Sequence, residues 1–87
     1  MSEPKDMRNA DLSWADLSGA DLSSAQMIGV NMRGAWLAGA YLSGAVMPLA
    51  ELRNADLSGA DLSGANLTNA ILTGVRWPEG WKLVRDE

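Results

Sequence analysis

Ser13, Ser18, Ser23, Ser43, Ser58 and Ser63 fall at one place in a five-residue frame, and Asp11, Asp16, Asp21, Asp56 and Asp61 keep the same frame beside them. A hydroxyl near a carboxylate is raw material for nucleophilic catalysis, and paired carboxylates for glycoside hydrolysis. Neither chemistry is singled out here. A serine nucleophile needs one adjacent, dedicated base, and these pairs recur too evenly for any one to be special. The chain has no histidine, no cysteine and one tyrosine. That removes the commonest general base, thiolate and disulfide chemistry, and the usual nitrogen and sulfur metal ligands. Calcium-binding rolls use a nine-residue glycine–aspartate word, which is absent. The residue types predict no enzyme, no cofactor and no metal.

The five-residue frame itself carries the information. With Leu12 as a centre, Met7, Leu17, Leu22, Met27, Met32, Leu37, Leu42, Met47, Leu52, Leu57, Leu62, Leu67 and Leu72 follow at steps of five, and each is Leu or Met. Two residues before each centre lies alanine from Ala10 to Ala70, with Val30 the one replacement, and the column runs on to Val75. A step of five advances about 140° on an α-helix, which scatters the leucines around every side. On a flat strand it reverses the face each time. A chain that turns a corner once per five residues buries both columns, because residues two apart on an extended segment share a face. Gly19, Gly39, Gly59 and Asn69 stand two residues after a centre, where such corners belong.

The words ADLSG at 15–19, 55–59 and 60–64 resemble the A(D/N)Lxx unit of the pentapeptide repeat family, over about four-fifths of the chain. The resemblance implies an all-β fold: a right-handed quadrilateral β-helix with four units per coil. Fourteen units from Asp6 to Val75 then make about three and a half coils, roughly 17 Å tall at ordinary strand spacing. Residues 1–5 read as an N-terminal tail, 6–75 as the repeat array and 76–87 as a cap or tail. In that last segment Trp77 falls on a centre position, and with Trp81, Leu83 and Val84 it is expected to form a short lid. Nothing before the array is large enough to cover Met7, Leu12, Leu17 and Leu22, so the N-terminal end is expected to be an open docking surface. The convex rod offers no cleft in which paired carboxylates could act.

Four units per coil place residues twenty apart on one side. The outward position just before each centre is Asp6, Asp11, Asp16 and Asp21 in the first coil, and Asp56 and Asp61 in the third. The middle coil puts Trp36 between Asp16 and Asp56, and Tyr41 between Asp21 and Asp61. The next side gathers Ile28, Val46, Pro48 and Leu49. Nothing in the repeat requires these residues, so Trp36, Tyr41, Val46, Leu49, Ile28 and Pro48 form an expected protein-binding belt rimmed by the acidic columns Asp11, Asp16, Asp21, Asp56 and Asp61. Leu49 stands where Gly or Asn is usual, after Pro48, which predicts a distorted corner. Met7, Met27 and Met47 share one side, where adaptable packing is expected.

The net charge of −4 argues against direct nucleic-acid binding. No segment approaches the about 18 apolar residues of a membrane span, and the first residues lack an apolar leader. The expectation is therefore a cytoplasmic protein without a membrane partner. It acts as a non-enzymatic binding or scaffold module, toward a protein partner or itself as a homodimer. The alternative comes from the family resemblance: some members mimic duplex DNA and bind DNA gyrase, protecting it from quinolones. Seven acids less three bases give the array −4, whereas about ten charges would match DNA over ~17 Å.

Overall fold

The structure is a computed structural model and describes residues 5–79. Each five-residue unit does the same work: a bridging residue, a buried centre, two turn residues and a second inward residue. The turn closes when the residue three past the centre donates its N–H back to the centre's carbonyl, as Ala20 N–H does to Leu17 at 3.0 Å and Ala40 N–H to Leu37 at 2.9 Å. The third residue of every turn has positive φ: eight glycines and Asn9, Trp14, Ser24, Leu49, Asn54 and Asn69. Positive φ at that place and not at the residue before it defines a type II turn. Each corner is thus a tight turn, and its residue must tolerate the left-handed region.

Successive levels are joined in parallel at a spacing of twenty residues. Four columns result, named here as faces in chain order. The first face runs Asp6, Gln26, Val46, Asn66; the second Asp11, Asn31, Glu51, Ile71; the third Asp16, Trp36, Asp56, Arg76; the fourth Asp21, Tyr41, Asp61. The centre's N–H donates to the next level, as Leu17 does to the Trp36 carbonyl at 2.7 Å, and Trp36 N–H returns a bond to the Ala15 carbonyl at 2.8 Å. The corner N–H donates too, as Gly19 does to Ala38 at 2.9 Å. These bonds and the turn satisfy the N–H groups of Trp36, Leu37, Gly39 and Ala40 in an inner unit. Among the described residues every pairing is an isolated bridge rather than a continuous strand, because the corner takes two residues of each five.

The core consists of the two inward columns. Leu or Met centres from Leu22 to Leu62 and the small column from Ala25 to Ala60 are all buried, Val30 included, and no polar side chain joins them among the described residues. Met27 and Met47 are fully buried on the first face. At the two ends of the array Met7, Leu12 and Leu17, and Leu67, Leu72 and Trp77, pack against this core but are only partly buried. Trp77 continues the centre column, and Pro78 after it is buried. Trp81, Leu83 and Val84 of the expected lid lie outside the described residues.

The Leu49 corner is not distorted. Leu49 takes φ 65° like its neighbours, donates its N–H to Thr68 at 2.9 Å, and the turn closes from Ala50 to Met47 at 3.2 Å. The repeat's backbone bonds hold the corner in register, and the leucine takes the unfavourable conformation.

Candidate functional site

The aspartate of each unit is a structural device. Its carboxylate accepts the backbone N–H two residues on: Ser18 donates to Asp16 at 3.1 Å, Ser23 to Asp21 at 3.1 Å, and Ser58 to Asp56 at 2.9 Å. The serine hydroxyl often donates as well, as from Ser13 to Asp11 and Ser58 to Asp56, both at 2.6 Å, and Ser63 to Asp61 at 2.7 Å. These bonds favour the ionised form and hold the carboxyls of Asp11, Asp16, Asp56 and Asp61 below the usual range, the serine side chain first and its backbone N–H second. At Asp21 the backbone bond leads. A carboxylate held this way is a poor base for the serine beside it. Asn66 makes the same pair of bonds with Thr68, so charge is not needed for this turn.

The six expected belt residues are brought onto three adjoining faces. Trp36 bridges Asp16 and Asp56, and Tyr41 bridges Asp21 and Asp61. Trp36 is 59% exposed and Tyr41 55%. Val46 bridges Gln26 and Asn66 on the first face, with Ile28, Pro48 and Leu49 in the same units. Leu49 is 60% exposed and Ile28 is also exposed, while Val46 and Pro48 are half-buried. Asp11 is different: it stands on the second face with Asn31, Arg33, Glu51 and Arg53, away from the belt. Glu51 is paired there with Arg53 at 2.6 Å. The belt therefore wraps three faces and leaves one polar.

Trp14 belongs with the belt although the outward columns do not reveal it. It is 67% exposed, more than any other large apolar residue described. It occupies the corner between the second and third faces at φ 64°. Its ring lies over Gly34, one level on, so closely that a Cβ at Gly34 would collide with it. Gly34 is two residues before Trp36, so the indole extends the aromatic surface to the leading edge of the third face. The rule that marks Leu49, a bulky residue in a column of Gly, Asn and Ser, also marks Trp14. Ile71 is a second unexpected exposed residue, but it stands on the polar second face.

The pentapeptide repeat family model matches residues 6–44 and 37–74, with eight copies, and the chain belongs to that family. Among solved structures it is similar to alr5209, a pentapeptide repeat protein from Nostoc PCC 7120, at 36% identity and TM-score 0.82, over 92% of this chain and 75% of that one. It is similar to Rfr23 from the cyanobacterium Cyanothece 51142 at 34% identity and TM-score 0.71, over 83% of this chain and 53% of that one. It is also similar to HetL from Nostoc sp. PCC 7120, a pentapeptide repeat protein involved in heterocyst differentiation regulation, at 32% identity and TM-score 0.59, over 90% and 47%. The chain thus spans about half the length of the latter two. No curated protein matches it.

Proposed function

We propose that this chain is a non-enzymatic protein-binding module whose contact surface is the belt of Trp14, Trp36, Tyr41, Ile28, Val46, Pro48 and Leu49. Its framework in this reading is a right-handed, four-sided β-helix of about three and a half coils with a short C-terminal cap. One observation carries the proposal. The repeat leaves the outward positions free, and the large apolar side chains placed there are exposed on three adjoining faces instead of one each at random along the array. Two of them, Trp14 and Leu49, also hold a backbone conformation that bulky residues avoid, at a cost of roughly 1–2 kcal/mol each. Strain kept at an exposed apolar residue is a mark of function, since Gly or Asn would relieve it.

The partly open layer of Met7, Leu12 and Leu17 is the second surface on which a partner could sit. A gyrase-directed DNA mimic is less well supported, since aromatic rings interrupt the aspartates of the third and fourth faces. The test is the double change Trp36→Asp and Val46→Asp. Both positions face outward, so the fold should persist by circular dichroism while association with the partner is lost. Association that survives unchanged would move the interface to the open end. Gyrase supercoiling that responds to micromolar protein would revive the mimic.

A further inference from the structure

We infer that the partner segment received by the third and fourth faces is basic, with arginine or lysine side chains laid over Trp36 and Tyr41. This rests on the belt being a binding surface and names what it binds. The two faces are otherwise bare. Beside the aromatic columns stand Ser18, Ala38 and Ser58 on one and Ser23, Ser43 and Ser63 on the other. The corner between them is Gly19, Gly39 and Gly59, and nothing lies within 4 Å of where a Cβ would stand on Gly19 or Gly39. Two rings therefore rise from a floor of small residues, and an extended chain can cross the corner from one to the other.

Each ring has a carboxylate one level below and one level above: Asp16 and Asp56 about Trp36, Asp21 and Asp61 about Tyr41. Adjacent levels are about 4.8 Å apart. A cation within about 6 Å of a ring centroid gains from the π face, and here it also stands within reach of a carboxylate. An arginine suits both, since its plane stacks on the indole while its fork donates to carboxylate oxygens. The chain already places its own cations at the rim: Arg76 follows Asp56 in the third column, and Lys5 Nζ donates to the Asp21 carbonyl at 3.0 Å. Four carboxylates less these two cations leave the surface negative. A second copy docked by the same two faces would set carboxylate against carboxylate, and nucleic acid or an anionic membrane would be repelled, so a basic protein segment is the occupant whose charge is complementary.

The test uses the whole chain, labelled with ¹⁵N, and a short synthetic peptide carrying two arginines. The control peptide has citrulline, which is isosteric and uncharged, at both places. The arginine peptide should shift the Trp36 indole N–H and the Tyr41 amide, and the citrulline peptide should not. Trp36→Leu keeps apolar bulk and should weaken binding about two- to thirtyfold. Asp16→Asn with Asp61→Asn should weaken it further and flatten its salt dependence. Ile71→Ala, on the polar second face outside the belt, should leave peptide binding in place. Equal binding of both peptides, shifts confined to the second face, or no binding at millimolar peptide would overturn the inference. So would a dimer of the chain alone that Trp36→Asp dissolves, because the occupant would then be a second copy. If the peptide fails while Trp36→Asp with Val46→Asp still abolishes association with a protein partner, the basic-partner inference falls and the belt stands.

Discussion

Position within the five-residue unit decides what each residue costs or contributes. Ala40 is fully buried in the small inward column. Ala40→Leu should overpack the narrow interior and destabilise by about 1–3 kcal/mol or more. Ser43 is outward and has Tyr41, not aspartate, two residues before it, and no side-chain hydrogen bond is found for it among the described residues. Ser43→Ala should be nearly silent in thermal unfolding. Equal effects of the two changes would mean that inside and outside have been exchanged. Leu49 makes the opposite case: Leu49→Asn should stabilise by roughly 1 kcal/mol, because Asn tolerates the left-handed corner better. The same change should weaken association if strain is kept there for binding. The core was legible in the sequence because inward positions admit only Leu, Met, Ala and Val30. Trp14 was legible only as a bulky residue in the Gly, Asn and Ser corner column, and its contact with Gly34 needed the spacing between levels to be seen.

In the units led by aspartate the turn is braced by bonds from the following serine to one carboxylate oxygen, and that makes these units sensitive to acid. Carboxyls of Asp11, Asp16, Asp21, Asp56 and Asp61 are held below their ordinary range by their serines, and Asp6 falls to about 2 beside Arg8. A folded-state pKa below the unfolded one contributes stability that is present above the unfolded value, about 3.9 for aspartate. That contribution is lost as pH falls through the folded values. Stability should therefore hold from neutral pH down to about 4 and decline below it. Asp56→Asn with Asp61→Asn should leave the melting temperature at neutral pH nearly unchanged, since Asn66 closes its unit in the same way. The double variant should lose part of the acid sensitivity. A large loss at neutral pH would show that charge itself holds the corner. Five-residue spacing announced this unit plainly. The distorted corner expected at Leu49 was wrong because backbone bonds to the neighbouring level outweigh one residue's conformational preference.

At the scale of the molecule, core, corners and belt all follow from one relation: residues twenty apart lie on neighbouring levels of one face. That relation makes Trp36 a neighbour of Asp16 and Asp56, and it sets the apolar belt on three faces rather than around a helix. Pyrene excimer fluorescence tests it directly, since the chain has no cysteine and labels will attach only where one is introduced. Asp11→Cys with Asn31→Cys marks two positions twenty apart that bridge on the second face. Asp11→Cys with Asp21→Cys marks two positions closer in sequence but on opposite faces. Strong excimer emission from the first pair and none from the second is the predicted result. Equal or stronger emission from the second pair would contradict the register, and with it the belt.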